Sequence, residues 1–307
     1  MNLKKPKFWD YKTPNIYAYL FLPFTYLIKI FNFIKFKSPK KTKIKTICVG
    51  NIYIGGTGKT SLSIKINKIL RKKNIKSCFV KKYYKNQLDE QEILNSNGKL
   101  FMAKKRIDAI RDAEKENYEI AVLDDGLQDH SIKYNKSIVC FNNINWIGNG
   151  MTIPSGPLRE DIKSITKYDF LFLNGNLENL EFLKLKLLNI NPDIKFFVGK
   201  YEMVNLVEFN KKEKYFVFSG IGNHQTFISM LKANGFNIIK EIEYADHYKY
   251  TKKDIEKIIK SADKLNCKII TTEKDFFRIK NFNLEKIKFV KSELKIIDED
   301  KFIKDII

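Results

Sequence analysis

Residues Gly55-Gly56-Thr57-Gly58-Lys59-Thr60 constrain this chain more than any other stretch. An apolar, β-branched run at 44–49 precedes them, and a helix-forming segment at 61–70 follows. A strand, a glycine-rich turn and a helix, in that order, aim backbone N–H groups at phosphate oxygens, with the partial positive charge of the helix N-terminus behind them. Gly55, Gly56, Thr57 and Gly58 then wrap the phosphates of ATP and Lys59 reaches the terminal ones. Thr60 offers its hydroxyl to Mg2+, and Ser61 completes the nucleotide-binding set. The usual spacing has a glycine six residues before the lysine; Tyr53 stands there, and the Gly55-Gly56 pair takes its place. A plain turn would not also require Lys-Thr at its helix entry.

Downstream, short apolar runs at 77–80, 100–103, 120–123, 137–141 and 170–173 read as strands, and 104–115 reads as a helix with Ile107, Ile110 and Ala113 on one face. The polar stretch at 81–91 shows no periodicity. This alternation predicts an α/β fold of the P-loop kinase type, a mostly parallel sheet with helices on both faces, binding ligands at the carboxyl ends of its strands. Extended segments occupy 195–207, and alternation restarts with strands at 215–219, 238–242 and 267–270 and helices at 225–233 and 252–265. The expected organisation is an N-terminal region at 1–40, a nucleotide-binding domain at 41–195, an extended linker at 196–212 and a smaller α/β domain at 213–307.

Lys and Arg number 57 against 35 Asp and Glu, a formal charge of +22. Such a field favours an anionic partner, whether phosphorylated substrate, acidic membrane or nucleic acid, although much of the lysine also serves to solvate the surface. No nucleic-acid module accompanies the charge, so nucleic acid is not an expected partner. Cys48, Cys78, Cys140 and Cys267 lie far apart, without metal or redox spacing, and read as reduced thiols, the first three in strands. Residues 16–34 are the most apolar and aromatic of the chain, with lysines on both flanks and Pro23, Lys29 and Asn32 inside. They predict a helix lying in a membrane interface, its lysines on acidic headgroups, with a helix packed on its own domain as the alternative.

Asp124 and Asp125 end an apolar strand downstream of the phosphate loop, where a carboxylate that organises magnesium belongs. The other reading is a capped turn before Gly126. Asp89-Glu90 and Asp246-His247 are ordinary pairs in isolation, but an Asp and a His brought to one cleft can deprotonate a hydroxyl. The prolines and glycine of 154–158 make a rigid turn, expected to lead into a helix that presents Arg159 and Glu160 at its start, the arginine for phosphate charge and the glutamate for magnesium. A purely structural loop fits the same residues.

Taken in order, these segments resemble the tetraacyldisaccharide 4'-kinase family of lipid A biosynthesis. The likeness runs through the apolar N-terminal helix, Val49-Gly50-Asn51, the phosphate loop, Asp89-Glu90, Asp124-Asp125-Gly126-Leu127-Gln128, Gly148-Asn149-Gly150 and Pro154 to Glu160. It closes with Gly220-Ile221-Gly222, Ala245-Asp246-His247 and Thr272-Glu273-Lys274-Asp275, a last motif to which the residues alone assign no role.

The resemblance implies ATP-dependent phosphorylation of a tetraacylated glucosamine disaccharide 1-phosphate at its 4'-hydroxyl, in a cleft between two α/β/α domains at the cytoplasmic face of the bacterial inner membrane. It makes Asp89 the base, His247 its partner, Lys59 and Thr60 the phosphate and magnesium ligands, Asp124 or Asp125 with Glu160 the rest of the metal site, and Arg159 a charge-neutralising group. An ATPase or GTPase switch at the membrane is the alternative. The chain departs from the family pattern where Lys81-Lys82-Tyr83-Tyr84 replaces Ser-Arg-Gly-Tyr, where Leu88 and Gln91 replace the glycine and proline around Asp89-Glu90, and where Asp129 follows Gln128, with His130 one place later.

Overall fold

A computed structural model describes residues 5–34, 38–84, 87–144, 146–175, 179–282 and 284–307, without the side chains of 32–34, 88 and 89. The chain divides into two units, one formed by Lys5–Gly199 with Ile296–Ile307 and the other by Lys200–Lys295.

The larger unit opens with helices α1 (Ile16–Leu20) and α2 (Leu22–Ile34). The sequence predicts one helix here; Pro23 lacks the N–H needed to continue it, and the chain restarts at Leu22 after the cap at Phe21. Among the described residues no helix is long and apolar enough to cross a membrane. There follow β1 (Lys45–Gly50), α3 (Lys59–Lys72), β2 (Ser77–Lys82), α4 (Leu88–Asn97), β3 (Leu100–Ala103), α5 (Arg106–Lys115), β4 (Ile120–Asp124), β5 (Lys136–Asn142), β6 (Phe170–Asn174), α6 (Leu180–Leu188) and β7 (Lys195–Met203).

The smaller unit carries β8 (Lys214–Ser219), α7 (His224–Ala233), β9 (Asn237–Glu243), α8 (Lys252–Lys264), β10 (Lys268–Thr272), α9 (Glu273–Arg278) and β11 (Ile287–Val290). Its sheet runs β11-β10-β8-β9, parallel throughout. The chain ends with β12 (Ser292–Ile297) and α10 (Glu299–Ile306).

The large sheet runs β12-β7-β6-β5-β1-β4-β2-β3. β1 pairs in parallel with β4 on one side and β5 on the other. Its residues Ile47, Cys48 and Val49 are buried, as in a parallel sheet covered on both faces. After β1 the chain builds β2, β3 and β4 on one side, then crosses to β5 on the other, and such a switch of direction opens a crevice at the strand ends. Val49 is the register partner of Asp124, so the start of the phosphate loop and the aspartate pair leave adjacent strands side by side.

Residues 296–307, expected within the smaller domain, return to the larger unit. Phe302, fully buried, packs edge-on against Phe172 and Phe197, while Glu299 and Asp305 pair with Lys65 and Lys195. The aperiodic stretch ends in α4, anchored by buried Leu94 and by the Gln91 amide on the Tyr84 carbonyl at 2.8 Å.

Candidate active site

The phosphate loop is held from beneath. The Asn51 amide donates to the Gly55 carbonyl at 3.1 Å and to Thr57 Oγ1 at 2.8 Å, and the Asn174 amide donates to the Thr57 carbonyl. Gly55 and Gly58 stand at φ 128° and 77°, left-handed conformations that a side chain would strain. Gly58 is the N-cap of α3, and no side chain caps this helix or places an acid in its first turn. α7, α8 and α9 are capped by Asn223, Thr251 and Thr272. The first-turn N–H groups of α3 therefore remain available to an anion.

Asp124 is wholly buried at the end of β4. Its Oδ1 accepts from Ser63 Oγ at 3.3 Å; its Oδ2 accepts from Thr60 Oγ1 at 3.3 Å and from Lys81 Nζ at 2.6 Å. Lys81 donates also to Glu90 Oε2 at 2.7 Å. Burial works to lower the Lys81 pKa, but Asp124 and Glu90 outweigh it and hold the ammonium above its ordinary range. The sequence reading missed Lys81; a lysine ending an otherwise apolar strand was the available signal.

Asp125 takes the left-handed region, φ 57°, its N–H on the Val49 carbonyl at 2.8 Å. Arg159 Nη1 donates to its Oδ1 at 2.7 Å and to Gln128 Oε1 at 3.2 Å. Burial alone would raise the Asp125 pKa, but the charges of Lys59 and Arg159 prevail and bring it down to about 2. Gln128 passes its amide to Glu160 Oε1 at 2.8 Å, and both Glu160 oxygens are in reach of the Tyr168 hydroxyl, at 2.9 and 3.0 Å.

Arg159 and Glu160 do not start a helix. The Arg159 N–H bonds the Ile52 carbonyl at 2.6 Å, and only a 3-10 turn follows, Ile162–Lys167, capped by Asp161. The rigid path comes instead from contacts with the N-terminal segment. Thr25 Oγ1 lies 2.9 Å from Ser155 Oγ, Trp9 Nε1 donates to the Pro154 carbonyl at 3.0 Å, and Asn149 N–H donates to the Trp9 carbonyl at 2.9 Å.

Asp89 belongs to the first turn of α4, and its side chain lies outside the described residues. His247 belongs to the smaller unit, at φ 59°, its N–H bonded to the Gly220 carbonyl at 3.2 Å and to Asp246 Oδ1 at 3.0 Å. There Thr272-Glu273-Lys274-Asp275 acquires a role. Thr272 caps α9, and the buried Asp275 accepts from Gly220 N–H at 3.0 Å, Thr272 Oγ1 at 2.7 Å, Tyr250 OH at 3.1 Å and Arg278 Nη1 at 3.0 Å. Arg278 also donates to the Gly220 carbonyl at 2.6 Å and reaches His247 Nδ1 at 3.4 Å. Asp275 is thus a clamp for the glycine turn whose Gly220 carbonyl receives the His247 N–H.

Magnesium takes few protein ligands beside phosphate oxygens and water. The Thr60 hydroxyl, the ionised Asp125 and the buried Asn51 Oδ1, an acceptor without a protein partner among the described residues, fit that ion. Among the described residues no group of three or more acidic, Cys or His side chains forms a metal cage.

A phosphate loop on a parallel sheet, with an aspartate on its helix hydroxyl, defines a P-loop nucleotide-binding protein. The chain belongs to the family described as tetraacyldisaccharide-1-P 4'-kinase, whose profile matches residues 16–307. It is 56% identical over 301 residues to the tetraacyldisaccharide 4'-kinase of Pelagibacter ubique, covering 97% of this chain and 96% of that one. It is 32% identical to the Rickettsia akari protein of the same name, covering 92% and 90%. The crystal structure of the apo form of LpxK from Aquifex aeolicus in complex with ATP shares the fold, with a TM-score of 0.64 at 21% identity over 94% of this chain and 97% of that one.

Proposed function

We propose that this chain transfers the γ-phosphate of ATP to the 4'-hydroxyl of a tetraacylated glucosamine disaccharide 1-phosphate. Family membership supplies the substrate class. The observation that carries the chemistry is the uncapped N-terminus of α3, with Thr60 on Asp124 beside it.

Phosphoryl transfer needs alignment and charge neutralisation more than covalent help. The loop amides and Lys59 hold the phosphates, and Arg159, already drawn to this corner by Asp125, meets the charge that develops on the transferred group. Thr60, Asp125 and Asn51 Oδ1 would hold magnesium, with Asp124 orienting the Thr60 hydroxyl, and the ion would supply positive charge at the phosphate oxygens. Glu160, engaged with Gln128 and Tyr168, serves the site by fixing Gln128 beside Arg159. Asp89 takes the proton of the sugar hydroxyl, and His247 serves as its partner in that step.

The acceptor's acyl chains stay in a bilayer, and we assign the enzyme to the cytoplasmic face of the inner membrane. Ile16, Leu20, Phe24, Leu27 and Phe31 are all more than half exposed on α1 and α2, and the sequence carries Lys29 among them, suited to acidic headgroups.

The deciding experiment is transfer of label from [γ-32P]ATP to tetraacyldisaccharide 1-phosphate. Incorporation into lipid is expected. Rapid hydrolysis of ATP with no acceptor requirement would instead favour a nucleotide switch.

A further inference from the structure

Lys81 is only 1% exposed, and nothing in the transfer chemistry calls for it. A buried ammonium is costly unless its charge is met, and here two carboxylates from different elements meet it, Asp124 at the end of β4 and Glu90 in the first turn of α4. That turn contains Asp89. Asp124, in turn, holds Thr60 and Ser63 of α3. One ammonium therefore joins β2, β4 and α4 at the strand ends where the phosphate loop opens.

The neighbouring sequence gives Lys81 a reason. Leu88 and Gln91 flank Asp89-Glu90, so no proline fixes the backbone of this turn and side-chain contacts have to set it. Lys81 is the ammonium that meets both Glu90 and Asp124, at 2.7 and 2.6 Å.

We propose that Lys81 is a positioning residue of the kinase, an internal strut that sets the first turn of α4, and with it Asp89, against the nucleotide site through Glu90 and Asp124. It does not touch substrate. The inference rests on Asp89 being the base.

The test uses the full-length chain with Lys81→Met, Glu90→Gln and the double variant. Each single substitution is expected to lower kcat about 100-fold, the scale of a misplaced reacting group, while the ATP Kd stays within about threefold. Backbone amides of residues 88–97 should exchange faster with deuterium in both, without nucleotide. The double variant should lose no more than Lys81→Met alone, since both changes cut one connection.

Unchanged exchange in α4, or additive losses in kcat, would overturn the strut. If Lys81→Met does not fold, Glu90→Gln carries both readouts, because its site is less buried. Full activity in Asp89→Asn would remove the base and leave the exchange result standing, so the two failures are told apart.

Discussion

Arg159 donates to Asp125 through Nη1 at 2.7 Å, so the arginine assigned to the transferred phosphate is already tethered to the carboxylate assigned to the metal. The tether is local and stiff, because Asp125 is fixed in the left-handed region by its bond to Val49. A phosphate entering the loop finds the guanidinium in place.

The pair leaves a mark on acid stability. The Asp125 pKa falls from 3.8 to about 2, so the native state favours the charged form. Between those values the unfolded chain binds more protons, and stability rises with pH. The contribution, about 2 kcal/mol by the linkage of shift to free energy, is complete above about pH 5 and is lost as pH falls toward 2. Urea unfolding of wild type and Asp125→Asn should show the stability difference narrowing from pH 5 to pH 3.

Lys59→Ala should abolish transfer and weaken ATP binding together, since the same ammonium serves ground state and transition state. Asp89→Ala should abolish transfer while leaving ATP binding nearly intact. Nucleotide titration by calorimetry beside the lipid-transfer assay separates the two; equal ATP affinities in all three proteins would displace Lys59 from the phosphates.

Asp275→Ala should be among the most destabilising changes in the smaller unit. It takes the buried carboxylate from Arg278 and unties Tyr250, Thr272 and the Gly220 amide, and breaking a buried pair in this way costs about 3–5 kcal/mol. Thr272→Ala, which removes the cap and one of those bonds, should cost about 1–2 kcal/mol. Thermal denaturation ranks them.

Replacing Phe24 and Leu27 together with serine should reduce binding to vesicles containing anionic lipid at least tenfold, each ring or branched chain contributing about 1.5–3 kcal/mol when immersed. Co-sedimentation as strong as wild type would move the contact elsewhere.

The strands of both sheets were legible wherever apolar runs stood between turns, as at β1, β4 and β8, because a strand buried on both faces leaves a continuous mark. The phosphate loop was legible because its residues serve backbone geometry and phosphate at once. α4 was not, since its only described core residue is Leu94 and it is held by single polar bonds rather than by a periodic face. α10 carries a clear apolar pair, Phe302 and Ile306, but its return to the larger unit depends on aromatic partners more than a hundred residues away. The clamp around Asp275 escaped for the same reason: Arg278 stands three residues on in α9, but Gly220 and Tyr250 come from distant parts of the chain that no local spacing unites with it.

Thr25 turns its hydroxyl inward to Ser155, and Trp9 reaches Pro154, within the loop that delivers Arg159. Amputating the first helices would strip off a greasy patch and unseat that loop in one stroke. A form without that apolar patch is therefore better made by repainting the outer face of α2 with polar side chains, keeping Thr25 and Trp9 as they are.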